Sequence, residues 1–222
     1  MPRLISTNFD SFATQAGVLL TGGVHPASVS WDVDPGSAVP PNEVPPVLAP
    51  KGGVQRRAGR SAVVPASFVK ASEYVVRHRD DDRFDVLYRL LWRFVHEAAH
   101  RPTRDDPDMH RVLLMAHAVR RNIHKLKMQT RLRAIPEASL PGGALLVGWC
   151  EPAHRVLEPL AQWLAKQHAG ACWMLLSPQG SAYWDTALLH YAAGLDAAPA
   201  RDAADEDWTR RWHALFPLAA AK

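Results

Sequence analysis

Apolar and polar positions follow two rhythms along this chain, and the rhythm changes near Pro141. The earlier part keeps a helical period. A short strand is predicted over Arg3–Thr7, then a helix over Ser11–Leu20 closed by Gly22 and Gly23. Pro65–His78 reads as a second helix. In a third, Phe84, Leu87, Leu91 and Phe94 share one face, with the Asp80–Asp82 cluster supplying an N-cap. Pro102 and Pro107 break the chain before a fourth, in which Val112, Met115, Val119, Ile123 and Leu126 recur at spacings of three and four, as a buried stripe does. Pro136 and Pro141-Gly142-Gly143 mark the next boundary.

Beyond it the apolar runs are short. Ala144–Cys150, Cys172–Leu176 and Ala187–Tyr191 read as strands and Pro152–His168 as a helix kinked at Pro159. Ser177–Trp184 reads as the turn joining the last two strands. Asp205–Phe216 closes the pattern as a short helix holding Trp208 and Trp212. The predicted fold class is therefore α+β, with a helical central part and a small β-α-β-β layer toward the C-terminus. A single domain over residues 1–222 is expected. Residues 34–60 form a Pro/Gly-rich stretch without apolar period, ending in Lys51, Arg56, Arg57 and Arg60, and a flexible loop is expected there.

Charge changes the picture at the fourth helix. From Met109 to Ile135 there is no Asp or Glu, while Arg111, Arg120, Arg121, Lys125, Lys127, Arg131 and Arg133 fall in the same span. His117, Arg120, His124, Lys127 and Arg131 form a stripe beside the apolar one. A plain solvated helix face mixes its charge signs. A helix anchored on one side and cationic on another presents charge to a polyanion. The net charge of +4 permits such contact without requiring it.

Four segments carry a family resemblance, in order: RFDVLYRLLWRF (Arg83–Phe94), AVRRNIHKLK (Ala118–Lys127), LLVGWCEPAHRV (Leu145–Val156) and SPQGSAYWD (Ser177–Asp185). Together they resemble an uncharacterised bacterial family described as a probable DNA metabolism protein. Members occur alone, beside a radical SAM partner, or fused ahead of a UdgX-type uracil-DNA glycosylase. The resemblance covers nearly the whole chain, including VHPASVSW at Val24–Trp31. It implies an association with DNA repair and brings no reaction with it. The chain departs from the family at Cys150, where an aromatic residue is usual, and in the tail RRWHALFPLAAAK (Arg210–Lys222), which replaces a pattern of tyrosines and Asn-Pro.

Composition excludes several classes. No apolar run is long enough to span a bilayer, and the opening MPRLISTNFDSF lacks the apolar core of a signal peptide, so no membrane association and a cytoplasmic location are expected. Cys150 and Cys172 are the only cysteines, which rules out a disulfide framework and a four-cysteine zinc site. There is no Gly-x-Gly-x-x-Gly, no phosphate-binding P-loop and no cysteine triplet for an iron–sulfur cluster, and no cofactor is expected. HEAAH at His96–His100 matches the zincin pattern in letters. Pro102 follows too soon for the helix to continue and a third ligand at suitable spacing is missing, so it reads as surface histidines at a helix end. VHPAS at Val24–Ser28 superficially resembles the His-Pro-Ser motif of uracil-DNA glycosylases. It comes early in the chain and without the Asp-bearing glycine-rich motif, so Pro26 reads as a turn or helix-start residue.

Three functional readings follow. In the first, the protein is a DNA-associated accessory or scaffold protein of a repair or modification system. Arg120, Arg121, His124, Lys125, Lys127, Arg131 and Arg133 hold phosphates, Tyr183 or Trp184 stacks on an unpaired base, and a radical SAM protein or uracil-DNA glycosylase is the protein partner. For the turn, the ordinary alternative is that Trp184 packs under the hairpin and Asp185 caps it. In the second, an enzyme acts on a damaged or modified nucleotide with Glu151 and His154 as acid and base. In the third, Trp208, Trp212 and Phe216 anchor a protein partner.

Overall fold

The computed structural model describes residues 3–5, 8–32, 64–97, 101–199 and 203–217. The stretch 34–60 lies outside the described residues. Those described fall into two compact units, one up to Arg121 and one from Asn122 onward, where the sequence reading has a single domain.

The first unit begins with β1 (Arg3–Ile5), paired in parallel with β2 (Ser30–Asp32). Between them runs α1 (Phe9–Thr21), whose first turn is capped by Asn8: its Oδ1 accepts from the Ser11 N–H at 2.9 Å. Then come α2 (Ala66–Val75), α3 (Arg83–His96) and the 23-residue α4 (Pro107–Gln129), which crosses from the first unit into the second at Arg121–Asn122. Apolar faces of the helices close over Phe12, Trp31, Phe84 and Tyr88, with ring centroids 5.1 Å apart for Phe12–Trp31 and 5.4 Å for Phe12–Phe84. Arg83 is buried within this core, its Nε donating to the Val76 carbonyl at 2.9 Å and a terminal nitrogen to Asp80 O at 2.8 Å. Buried donors of this kind must be satisfied, and here the backbone satisfies them.

Pro107 does more than break the chain. It is the first residue of α4, where its missing N–H costs nothing. Asp106 precedes it, and its Oδ1 accepts from the N–H groups of Asp108 (3.0 Å) and Met109 (3.2 Å) while Oδ2 accepts from Arg93. Burial pulls the Asp106 carboxyl upward, but the Arg93 guanidinium and these backbone donors outweigh it and hold the group below the ordinary carboxylate range. At the start of α3, Asp82 occupies the N-cap position without a side-chain cap bond. Its carboxylate reaches Arg111 on α4 instead, at 2.7 Å.

The second unit is a five-stranded sheet in the order β3 (Arg133–Pro136), β4 (Ala144–Trp149), β5 (Trp173–Ser177), β6 (Gly180–Trp184), β7 (Leu189–Ala192). Only β4 and β5 are parallel, and α5 (Leu157–Gln167) is the crossover between them. One face buries Ile135, Leu145, Val147, Met174, Leu176 and Tyr183 against Trp208, Trp212 and Phe216, supplied by α6 (Asp205–Leu215) and the residue after it. The architecture is α+β, as predicted, and the five-stranded sheet has two more strands than the sequence reading gives it, while β2 in the first unit is a third strand that the reading lacks. Gly180–Trp184 is a strand rather than a turn, and Arg133–Pro136 adds an edge. Pro159 lies in the first turn of α5, which begins at Leu157 and not at Pro152, so it needs no kink.

Two consequences are testable. A Cβ on Gly148 would stand 2.7 Å from Leu132 Cδ2 and 2.8 Å from the Arg131 carbonyl, whereas one on Gly170 would meet nothing within 4 Å. Gly148→Ala is expected to lower stability by about 1–3 kcal/mol in urea unfolding, and Gly170→Ala to be neutral or to stabilise by up to about 1 kcal/mol. Asp106→Ala is expected to lower stability by about 1–3 kcal/mol at neutral pH. Because the folded carboxyl sits below its unfolded value, its stabilisation is complete above the unfolded pKa and is lost as pH falls through the folded one. The difference between wild type and variant in thermal melts should therefore shrink below about pH 4.

Candidate nucleic-acid interface

The structure sorts the predicted cations by what surrounds them. Val112, Met115, Val119 and Leu126 are buried on one side of α4, with Ile123 half-buried beside them. That burial turns His117, Arg120, Arg121, His124 and Lys125 outward, and all five are exposed. Arg120, Arg121 and Lys125 have no carboxylate within ion-pair distance among the described residues. Arg120 lies over the Tyr74 ring at 5.6 Å. Lys127 is half-buried, its Nζ 5.5 Å from the Trp163 ring centre. The charge of Arg111, by contrast, is taken up by Asp82 at 2.7 Å and Asp80 at 3.5 Å.

Arg131 and Arg133 stand apart, because α4 ends at Gln129. The Arg131 guanidinium turns back onto the Met128 carbonyl (2.7 Å) and the Thr130 carbonyl (3.2 Å), satisfying acceptors that the last helical turn leaves open. Arg133 belongs to β3 and pairs with Asp205 at 2.6 Å, with a further bond to Ala203 O at 2.9 Å.

Tyr183 and Trp184 require a correction. They lie on β6 with only 1% and 5% of their surface exposed, and Trp184 Nε1 donates to Ala169 O at 3.2 Å. Neither offers a free ring to a base. The ordinary alternative for this segment is what the fold contains. Asp185 Oδ1 accepts from the N–H groups of Ala187 (2.9 Å) and Leu188 (2.6 Å), and Oδ2 lies 2.9 Å from His190 Nε2. These bonds hold the turn around Thr186, whose φ of 78° is uncommon for a residue with a side chain. Trp208, Trp212 and Phe216 are likewise core residues, packed on the sheet at 7%, 0% and 4% exposure, and so do not form an exposed partner anchor.

The second unit holds a cleft of about 340 Å³ at the carboxyl end of β4, lined by Asn122, Lys125, Leu126, Gln129, Thr130, Trp149, Cys150, Glu151 and Ala153. Asn122 shapes it. Its Oδ1 accepts from the backbone N–H of Ala153 (3.1 Å) and His154 (3.2 Å), pinning the loop that follows β4 to α4. Glu151 is exposed at the rim, with Oε1 accepting from Trp149 Nε1 at 3.1 Å. His154 is buried and does not line the cleft. Burial, together with the nearby Glu151 charge, pushes the Cys150 thiol up to about 12, so it stays protonated and offers no thiolate. Asn122, Gln129 and Trp149 are cleft residues that sequence reasoning misses as a group. The available signal is Asn122 itself, a poor helix former in the middle of a long helix.

In the first unit, a smaller cleft of about 250 Å³ includes His25, Asp85, Tyr88, Trp92 and Glu97. His25 Nδ1 accepts from the Ala27 N–H at 3.2 Å, capping the short turn that Pro26 opens. His96 Nε2 lies 3.2 Å from the Leu20 carbonyl, and residues 98–100 of the HEAAH segment lie outside the described residues.

Asn122→Ala is expected to cost about 1 kcal/mol in urea unfolding and to speed amide exchange at Ala153 and His154, while Asn122→Asp keeps the acceptor and most of the protection.

No curated protein and no solved structure matches this chain. A family model does, over residues 81–219, a span running from just before α3 through the cationic face of α4, the cleft and the whole sheet. The chain belongs to that family, described as a domain of unknown function, DUF4130.

Proposed function

We propose that this protein is an accessory or scaffold protein of a DNA repair or modification system and contacts nucleic-acid phosphates through α4. The observation that carries the reading is the outward row Arg120, Arg121, His124 and Lys125, set in a stretch with no carboxylate from Met109 to Ile135. Among the described residues Arg120, Arg121 and Lys125 have no carboxylate partner, which leaves their charge to a ligand, and phosphate contacts of this kind give affinity with little sequence preference. The resemblance supplies the context: DNA, with a radical SAM protein or a uracil-DNA glycosylase as protein partner; a place in the cytoplasm is part of the same reading. Among the described residues no helix is long and apolar enough to cross a membrane. The enzymatic alternative has less support, because Glu151 lines the cleft and His154 does not.

A second reading has one observation in its favour. Leu113, Leu114 and Met128 are exposed on α4 at 39%, 57% and 62%, and exposed apolar side chains suit a protein partner better than a phosphate chain.

Fluorescence anisotropy with single-stranded, duplex and uracil-containing DNA separates the two. Wild type is expected to bind with strong salt dependence, and Arg120→Glu with Arg121→Glu to weaken binding at least about tenfold at moderate salt. Neutral replacement of the same two arginines should flatten the slope of log affinity against log salt by about 1 per residue. Folded wild type that binds no DNA at low salt would remove the phosphate reading and leave the partner reading.

A further inference from the structure

The cleft at the end of β4 brings together groups that do not satisfy one another. Lys125 and Glu151 line the same 340 Å³ space, yet no ion pair joins them among the described residues. Each is exposed and keeps its charge for something else. Glu151 is also held in place: Trp149 Nε1 donates to its Oε1, which orients the carboxylate and leaves Oε2 and the remaining lone pair of Oε1 as acceptors with no other hydrogen bond among the described residues. Trp149 is half-buried, packed in part against the sheet core and in part lining the cleft. Gln129 adds an amide that both donates and accepts. Thr130 Oγ1, on the same wall, is buried without a hydrogen-bond partner.

A ligand that complements this set has three parts. It carries a negative charge for Lys125, a flat π surface for Trp149, and a pair of N–H donors for an oriented carboxylate. The cleft is at the small end of ligand sites, roughly the size for one such group. A nucleotide has all three parts, and among the DNA bases guanine alone presents two adjacent N–H donors, N1–H and N2–H, along its pairing edge. A carboxylate accepts such a pair side by side. In duplex DNA that edge is already used, so only an unpaired guanine can offer it.

We infer that this cleft takes the base of an unpaired guanine nucleotide, with Glu151 reading the pairing edge, Trp149 stacking and Lys125 holding a phosphate. The inference deepens the phosphate reading of α4 and rests on it for the class of ligand. It places base selection in Glu151 and Trp149 and leaves general affinity to Arg120 and Arg121.

The test uses labelled thymidine 12-mers that are plain or carry one central guanine, adenine or cytosine, with wild type, Glu151→Gln, and Arg120→Glu with Arg121→Glu, all checked for fold by circular dichroism. Wild type is expected to bind the guanine-bearing strand about tenfold tighter than the others, the scale of one good two-bond base contact. Glu151→Gln should erase that preference and leave binding to plain thymidine strands intact. The arginine variant should weaken all strands alike and preserve the preference. Wild-type binding without guanine preference overturns the inference and leaves the phosphate reading standing. If no strand binds, titration calorimetry with guanosine 5′-monophosphate decides. Glu151-dependent binding of the mononucleotide supports the cleft while the phosphate reading fails, and its absence overturns both. If free tryptophan binds in a Glu151-dependent way and the mononucleotide does not, the cleft is an amino-acid site and the nucleobase assignment is wrong.

Discussion

The parallel pairing of β4 with β5 is the constraint that organises the cleft end of the second unit. Antiparallel neighbours can be joined by a two-residue turn, but a parallel pair requires the chain to leave the sheet, cross it and return. Here the departing segment is Cys150–Val156 and the crossover is α5. Open α/β layers collect ligand sites at the carboxyl ends of their strands, because departing loops expose backbone and polar side chains there. The rule fits this small mixed sheet at its one parallel step. Asn122 completes the arrangement from outside the sheet, since two backbone donors of the departing loop find their acceptor on α4. Without that acceptor the loop would carry open N–H groups beside the cleft.

A single helix is thus asked to meet three demands. Its apolar stripe fills core positions from Val112 to Leu126. Its N-terminal part is paired in charge with α3 and the residue before it: Asp82 takes Arg111 of α4, and Asp108 of α4 takes Arg89 of α3 at 2.9 Å. Its middle carries cations that have no carboxylate partner among the described residues. The acids sit before α3 and before or within the first turn of α4, where the helix dipole favours them. The cations that follow are left without them. Segregation of this kind costs little at an exposed surface, where ion pairs are worth a fraction of a kcal/mol in any case. It leaves a field that a polyanion can use.

The helical half of the fold was legible because its apolar residues keep a strict period, and α4 and its outward cations follow from that period alone. The strand β6 was not legible. Gly180, Ser181 and Ala182 have neither the bulk nor the alternation of a strand, and they are buried because the sheet continues on both sides of them. Their polarity is absorbed locally: Ser181 Oγ donates to Ala193 O at 2.9 Å, and Ser177 Oγ to Gly180 O at 2.7 Å. A turn at this place would leave Tyr183 and Trp184 available, and a strand buries them. Arg133 falls outside α4 for a related reason, since a run of like charges gives no sign of where the helix inside it stops. The cleft joins residues from α4 with others about 27 positions later, between Asn122 and Trp149. No spacing rule connects them.

Both cysteines are sequestered, Cys150 in the cleft wall and Cys172 in the sheet core, and burial raises both thiols. Thiolate is the reactive form, so alkylating dyes and mild oxidants find almost none of it here at neutral pH. The molecule therefore supplies its own silent background for thiol chemistry. A single cysteine placed at an outward position of α4 would take up a fluorophore or spin label alone, and the surface could be mapped position by position without first removing the native thiols.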